Sequence, residues 1–263
     1  EFTTKELDEK VRRVLRLMYR TSMNTDKPFG SLVSDEHVAA SRTIGEEGVV
    51  LLKNENNVLP IDLSKTKTIA VIGENAIKAM TVGGGSSSLK VAKEVSPLEG
   101  LKNRVGDKAE IIYARGYVGD VSTSYNGVDS GQNLVDNRSE EELIAEAVEA
   151  ARRADVVLVF GGLNKASHQD CEDSDRYGLE LPYAQDRLMA ALTEATDNLV
   201  FVNISGNAVA MPWVDSVPAI VQGWFLGSEA GNALASVLMG DVNPSGKLPH
   251  SYPKYSNAMT TYD

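Results

Sequence analysis

The segment 168–176, HQDCEDSDR, concentrates residue types that carry out acid–base and metal chemistry. Its nine positions hold four carboxylates, a histidine, an arginine and the only cysteine of the chain. It directly follows the apolar run 155–163, DVVLVFGGL, which is typical of a buried strand. Three interpretations therefore compete for the segment: a solvated loop, a metal site, or a catalytic carboxylate with supporting residues.

The ligand pattern argues against a metal site. An EF-hand loop counted from Asp170 would lack its turn glycine and its final glutamate. His168 and Cys171 could be two zinc ligands, but the chain has no second cysteine, and His37 and His250 lie far away in the sequence. We therefore expect no metal here, and we assign His37 and His250 no role.

The stretch 172–176, EDSDR, favours a catalytic carboxylate. Asp175 and Arg176 could fix the loop while Glu172 projects from it. A carboxylate held near apolar sheet residues has its pKa raised by desolvation, which is what a general acid needs at neutral pH. Glu172 is thus the candidate general acid, and a solvated loop between a strand and a helix stays the alternative.

Two further features have competing interpretations. The glycine-rich stretch 81–89, TVGGGSSSL, fits neither GxxxxGK[ST] nor GxGxxG, so a phosphate cradle is disfavoured. Two interpretations stay open: a flexible turn, and a loop whose backbone approaches a ligand or a neighbouring domain.

Trp213 and Trp224, the only tryptophans, are expected to pack in the core, although an indole near a strand end can also stack on a sugar.

Apolar periodicity predicts the elements that position these residues. Helical spacing or capping residues predict helices over 5–21, 34–47, 139–154 with a Ser139–Glu142 capping box, 182–196 with Pro182 at its first position, and 228–240. Nearly continuous apolar runs predict buried strands at 68–73, 109–114, 155–162, 198–206 and 219–225. The alternation indicates an α/β fold: a mostly parallel sheet sandwiched between helices, preceded by a detached helix. The stretch 118–139 should form a long surface excursion.

Bulk properties narrow the functional class. With 263 residues and a net charge of −11, and without a Lys/Arg block, the chain is not expected to bind nucleic acid. It contains no apolar run of the roughly 18 residues that a membrane span requires. A single cysteine precludes an intrachain disulfide but does not fix the compartment. The first residues lack an initiator methionine, and we expect the chain to be part of a longer gene product.

Several stretches together resemble the second half of glycoside hydrolase family 3, the β-glucosidase and β-xylosidase family. The resemblance covers nearly all 263 residues. It rests, in this order, on KVRRVLRLMY, GEEGVVLLKNENNVLPI, GGGSSSLKVAKEVSPLEGLK, CEDSDRYGLELPYAQDRLM, SGNAVAMPWV and AIVQGWFLGSEAGNALASVLMGDVNPSGKLPHSYP. In such proteins a (β/α)8 barrel with the Asp nucleophile precedes an α/β sandwich domain. The resemblance implies that 1–22 is the last barrel helix, 23–35 a linker, and 36–263 the sandwich, truncated at its end.

The resemblance also implies site residues. The family's acid/base motif, similar to G-E-G-x-D-R, maps onto 171–176, with Cys171 and Asp173 in place of the glycines. It makes Glu172 the general acid/base, with Asp170 as the fallback. Supporting residues would be Asp175, Arg176 and His168.

The implied function is the acid/base half of a retaining, exo-acting β-glycosidase, most often a β-glucosidase, with no cofactor and no metal. Its partners would be a β-linked oligosaccharide or glucoside and an N-terminal barrel, in cis or as a separate chain; a homo-oligomer is left open. The family favours a periplasmic or secreted location, with the cytoplasm as the alternative. Two other classes compete: a non-catalytic carbohydrate- or partner-binding module of the same fold, and a flavodoxin-like nucleotide binder.

Overall fold

The computed structural model of the chain describes residues 2–253. The chain divides into two compact units, Glu1–Ser34 and Asp35–Asp263. The first unit contains helix α1 (Thr4–Arg20), which begins at a capping box in which the Thr3 backbone N–H donates to Glu6 Oε2 at 2.8 Å. None of the α1 residues is buried, so its apolar side chains are open to solvent: Leu7, Val11, Val14, Leu15 and Met18. The predicted amphipathic helix is confirmed.

The second unit alternates helices and strands. In chain order these are α2 (Asp35–Gly48), β1 (Val50–Asn54), β2 (Thr68–Ile72), α3 (Pro97–Val105), β3 (Glu110–Ala114), β4 (Ser124–Tyr125), β5 (Val128–Asp129), α4 (Glu140–Arg153), β6 (Val156–Gly162), α5 (Gln185–Thr193), β7 (Leu199–Ile204), β8 (Ala219–Gln222) and α6 (Ala230–Leu238). Strands β4 and β5 pair as a short hairpin within the predicted surface excursion. No helix in residues 2–253 combines the length and apolar character needed to cross a bilayer.

One sheet organises the second unit. Its strand order is β1-β8-β7-β6-β2-β3, and all neighbours are parallel except the edge strand β1, which is antiparallel to β8. Strands β6, β7 and β8 are buried throughout, which is why they are nearly continuous apolar runs. The predicted mostly parallel α/β sandwich is confirmed.

Helices cover both faces of this sheet. On one face α3 and α6 pack backbone to backbone, since a Cβ at Gly100 would lie 2.1 Å from the Gly231 carbonyl carbon. On the other face α4 and α5 cover the side chains that point the opposite way, and Phe201 and Leu188 are fully buried there. Each face thus has its own apolar cluster.

Strand order reverses between β2 and β6. From β2 the chain moves outward to β3, and it then returns to β6 on the other side of β2 before continuing to β7 and β8. The loops after β2 and β6 therefore leave the sheet side by side at its carboxyl edge. In open parallel sheets this switch point is where ligands bind.

The Ser139–Glu142 capping box is confirmed, but the predicted start of the next helix is wrong. Helix α5 begins at Gln185 and not at Pro182. The reason is local: Tyr183 has φ +63°, a left-handed conformation that no helix continues through. Strand β8 is also shorter than predicted, since it ends at Gln222.

Candidate functional site

Three loops meet at the carboxyl edge of the sheet. The glycine-rich loop follows β2, the loop 163–181 follows β6, and the loop 205–209 follows β7. The Gly84 N–H donates to the Lys165 carbonyl at 2.8 Å, and the Glu172 N–H donates to the Gly84 carbonyl at 3.3 Å. These two hydrogen bonds hold the loop 163–181, which contains Asp170 and Glu172, against the glycine-rich loop.

Glu172 lies against the glycine-rich loop. The Ser86 N–H donates to Glu172 Oε2 at 2.6 Å. A Cβ at Gly85 would lie 2.4 Å from Glu172 Cβ, so only glycine lets the glutamate approach this closely. Gly85 also has φ +81°, a conformation that favours glycine. The loop thus orients the carboxylate.

The predicted electrostatics of Glu172 are wrong. We expected burial near apolar sheet residues to raise its pKa, but the side chain is exposed, so desolvation is a minor influence. Hydrogen bonds from the Ser86 side chain and backbone instead lower the pKa of Glu172, because they stabilise the ionised form. The carboxyl group is therefore held as a carboxylate in this chain.

Asp170, the fallback acid, is engaged on both oxygens. Its Oδ2 accepts from the Gly206 N–H at 2.6 Å, and its Oδ1 accepts from Asn207 Nδ2 at 2.9 Å. Its own N–H donates to the Asn164 carbonyl at 3.1 Å. Asp170 thereby ties the loop after β6 to the loop after β7. Both carboxylate oxygens of Asp170 thus accept hydrogen bonds from within the domain.

The predicted supporting residues His168, Asp175 and Arg176 all make contacts that hold the loop 163–181, but Asp175 does so through its main-chain carbonyl. His168 Nδ1 contacts the Asp175 carbonyl oxygen at 3.1 Å, and the His168 ring stacks on Tyr177 with 4.5 Å between centroids. Arg176 Nη2 donates to the Ala208 carbonyl at 2.6 Å. The loop is thus closed through the main chain of Asp175 and tethered by Arg176. Arg176 Nη1 is buried and has no hydrogen-bond partner within residues 2–253.

The two residues that replace motif glycines behave differently. Asp173 has φ +66°, the left-handed conformation that glycine favours and that aspartate tolerates better than most residues. The replacement therefore keeps the backbone shape that a glycine would allow. Cys171 does not have a positive φ, and its thiol contacts the Glu172 carbonyl oxygen at 3.3 Å. Side chains at both positions are compatible with this loop.

Two clefts open beside these loops. The first, about 580 Å³, is lined by Asp170, Asp175 and Arg176 among others; we call it the Asp170 cleft. The second, about 160 Å³, is lined by Glu172 and by residues of the surface excursion; we call it the Glu172 cleft. Lys165 and Cys171 line both. The two carboxylates that compete as the acid therefore face different clefts.

Ser86 and Lys165 also belong to this site, although no sequence pattern indicated either residue. Lys165 Nζ donates to the Ser87 carbonyl at 3.2 Å and its own carbonyl accepts from Gly84, so it joins the two loops twice. The signal available in the sequence was the glycine-rich stretch after a predicted strand. The backbone amides of that stretch are used internally, by Lys165 and Glu172, which further disfavours a phosphate cradle.

The tryptophans and His250 have packing contacts. Trp213 is buried and meets the Phe201 ring edge-on with 4.6 Å between centroids, so the core prediction is confirmed for it. Trp224 Nε1 donates to the Gly48 carbonyl at 2.8 Å, and its ring contacts that of His250. In the part of the chain that the structure describes, no group of three or more His, Cys, Asp or Glu residues is placed to hold a metal ion.

The chain is similar in sequence to known glycoside hydrolases. Residues 49–263 match the family profile described as the glycosyl hydrolase family 3 C-terminal domain. The "Beta-glucosidase BoGH3A" of Bacteroides ovatus is 48% identical over 252 residues, covering 94% of this chain and 33% of the relative. The "Periplasmic beta-glucosidase" of Salmonella typhimurium is 37% identical over 280 residues, covering 99% of this chain and 36% of the relative.

The fold of this chain is also similar to that of solved structures. The crystal structure of a Bifidobacterium adolescentis GH3 beta-glucosidase superposes with a TM-score of 0.78 at 32% identity, covering 97% of this chain and 35% of the other. The chain thus spans about a third of the length of these proteins.

Proposed function

This chain belongs to glycosyl hydrolase family 3, as the C-terminal domain of that family, and we propose that it carries the general acid/base of a retaining, exo-acting β-glycosidase. Glu172 is the proposed acid/base. The observation that carries this assignment is the 2.6 Å hydrogen bond from the Ser86 N–H, which orients an exposed carboxylate at the switch point of the sheet. Asp170 is the weaker candidate, because both of its oxygens are already bonded within the domain.

The proposed chemistry has two steps. Glu172 first protonates the glycosidic oxygen as the leaving group departs, and it then removes a proton from the water that hydrolyses the glycosyl-enzyme. Retention also requires a nucleophilic carboxylate about 5 to 5.5 Å from the acid. We propose that this carboxylate is an aspartate on a (β/α)8 barrel, in cis or on a separate chain. Residues 1–22 would be the last helix of that barrel, and residues 23–35 the linker.

Acid catalysis by Glu172 needs a higher pKa than this chain alone gives that carboxyl group. A general acid must be protonated near its working pH, whereas hydrogen bonds from Ser86 lower the pKa of Glu172 in this chain. A second carboxylate close by and the loss of water on closure both raise the pKa of an acid. We propose that the barrel and the bound sugar supply both influences. Acid catalysis by Glu172 would then require the complete site.

The proposed substrate is a terminal β-glucoside. Its support is that the Bacteroides ovatus and Salmonella typhimurium relatives are both named as β-glucosidases. One alternative is a non-catalytic carbohydrate- or partner-binding module of the same fold. The observation that favours this alternative is the replacement of both motif glycines, by Cys171 and Asp173.

Leaving-group dependence tests the proposal. The complete enzyme carrying Glu172→Ala should lose about 10² to 10⁴-fold on alkyl or oligosaccharide substrates. It should lose much less on a 2,4-dinitrophenyl glycoside, whose phenolate leaves without a proton. The matched variant Asp170→Ala should slow both substrate types alike. If Asp170→Ala alone shows the leaving-group dependence, Asp170 is the acid; if neither variant affects turnover, the binding-module alternative holds.

Activity of the separate parts tests the two-part site. Residues 1–263 alone should not hydrolyse aryl β-glycosides above background, because they lack the nucleophile. Adding the barrel segment, covalently or as a second chain, should restore hydrolysis. Turnover by residues 1–263 alone would contradict the proposal.

A further inference from the structure

We propose that residues 119–132, which we call the hairpin arm, form a wall of the site for the leaving-group sugar, and that Tyr125 is the ring against which this sugar packs. The proposal rests on the proposed role of Glu172 as the acid/base. The hairpin arm contains the β4–β5 hairpin and is the part of the surface excursion that adjoins the site. Neither its sequence nor the acid/base motif indicates a role for it.

The hairpin arm and Glu172 line the same cleft. The Glu172 cleft is lined by Glu172 and also by four residues of the hairpin arm: Asp120, Ser122, Ser124 and Tyr125. The cleft is small, at about 160 Å³, so Glu172 and the hairpin arm border the same confined space.

The side chains on this wall suit a sugar. Tyr125 has 39% of its surface exposed, in a position where it lines the cleft. An aromatic face beside hydroxyl and carboxylate groups matches a pyranose, which has apolar C–H faces and a rim of hydroxyls. Ser122, Ser124 and Asp120 supply the polar groups at the edge of the cleft.

The hairpin arm is fixed to the domain by buried charges. Lys78 is only 7% exposed, and its Nζ donates to the carbonyls of Asp120 at 2.5 Å and Ser122 at 3.1 Å. Glu74, which is fully buried, accepts from the Gly119 N–H at 2.7 Å. Burying a charge is costly unless it is well bonded, so these contacts make a rigid anchor for a segment that otherwise lies on the surface.

A second anchor holds the far end of the arm. Gln132 Nε2 donates to the Ile77 carbonyl at 2.7 Å, and Gln132 Oε1 accepts from the Ala79 N–H at 2.8 Å. Both partners lie between β2 and the glycine-rich loop that orients Glu172. The hairpin arm and Glu172 are therefore both hydrogen-bonded to the segment that follows β2.

The proposed role of Glu172 places the leaving-group sugar next to the hairpin arm. Glu172 would lie beside the glycosidic oxygen, which it protonates as the bond to the anomeric carbon breaks. The leaving-group sugar is attached to that oxygen, so it occupies space next to the acid. The residues that share the Glu172 cleft are therefore placed to contact the leaving group.

A comparison of two substrates isolates this contact. Methyl β-glucoside and a β-linked glucose disaccharide both have alkoxide leaving groups that need a proton, but only the disaccharide has a leaving-group sugar. In the complete enzyme, Tyr125→Ala should lower kcat/KM for the disaccharide by about 2- to 12-fold, the range of one aromatic contact. It should leave kcat/KM for methyl β-glucoside within about twofold.

Two further variants control for folding. Tyr125→Phe keeps the ring and should retain the disaccharide preference. Val121→Ala alters an exposed side chain of the same arm that does not line the cleft, and should also retain it. An unchanged ratio of the two kcat/KM values in Tyr125→Ala, or an equal ratio change in Val121→Ala, would overturn the proposal. Failure of the acid/base assignment would appear separately, as undiminished turnover of both substrates by Glu172→Ala.

Discussion

Replacing Gly85 by alanine should displace Glu172 while leaving the fold intact. The new Cβ would lie 2.4 Å from Glu172 Cβ and 2.6 Å from its Oε2, whereas ordinary van der Waals contact begins at 3.4 Å. Relief of the clash therefore requires a movement of about 1 Å, and misplacement of a catalytic group by this amount costs on the order of 10²-fold in rate. We expect this loss in kcat/KM on an alkyl glucoside.

Backbone strain must be separated from this clash. Gly85 has φ +81°, a conformation that costs a non-glycine residue roughly 1 to 2 kcal/mol. Gly106→Ala is the matched control, because Gly106 also has a positive φ of +55° but a Cβ there would meet nothing within 4 Å. Both variants should lower Tm, by about 2 to 4 °C for each kcal/mol in a unit of this size.

The assay is steady-state hydrolysis of a methyl and a 2,4-dinitrophenyl glucoside by the complete enzyme, with Tm measured in parallel. Gly85→Ala should lose more activity on the methyl glucoside than on the activated substrate, whereas Gly106→Ala should keep the activity of the parent on both. Equal activity of the two variants would refute the view that the glycine-rich loop positions the acid.

Two further predictions concern charge. In residues 1–263 alone, Glu172 should titrate below the ordinary glutamate pKa of about 4.3, and Ser86→Ala should raise its pKa towards that value; carboxyl NMR titration would show this, and an unchanged pKa would contradict it. Glu74→Ala should destabilise the domain by about 3 kcal/mol in denaturant unfolding, because it removes the 2.8 Å partner of buried Arg115 and leaves Asp136, 3.7 Å away, as the remaining carboxylate. The control is Glu140→Ala, which breaks the exposed ion pair between Glu140 and Arg187 and should change the unfolding free energy by roughly 0 to 1 kcal/mol. A similar loss of stability in both variants would contradict the stabilising role of the buried pair.

The fold was predictable because its signals are local. Strands buried on both faces must be apolar along their whole length, and β6 and β7 can be recognised from this alone. The Ser139–Glu142 capping box likewise fixes the start of α4 within a few residues. The start of α5 could not be found in this way, since the left-handed conformation of Tyr183 leaves no mark in the pattern.

The site was only partly predictable, because its contacts join distant parts of the chain. Glu172 and Asp170 stand out by their position after a buried strand. Ser86, which orients Glu172, is 86 residues away in the sequence, and no local pattern connects the two. The direction of the Glu172 pKa shift was missed for the same reason, because desolvation depends on what covers a side chain in the folded molecule.

The product that the complete Glu172→Ala enzyme forms with azide tests the acid/base assignment most directly. Once a 2,4-dinitrophenyl β-glucoside has glycosylated the nucleophile, water attacks slowly without the Glu172 carboxylate, but azide needs no general base. We predict that azide accelerates turnover and that NMR identifies β-glucosyl azide as the product. Absence of both the acceleration and the azide product, with the same experiment succeeding in Asp170→Ala, would contradict the assignment.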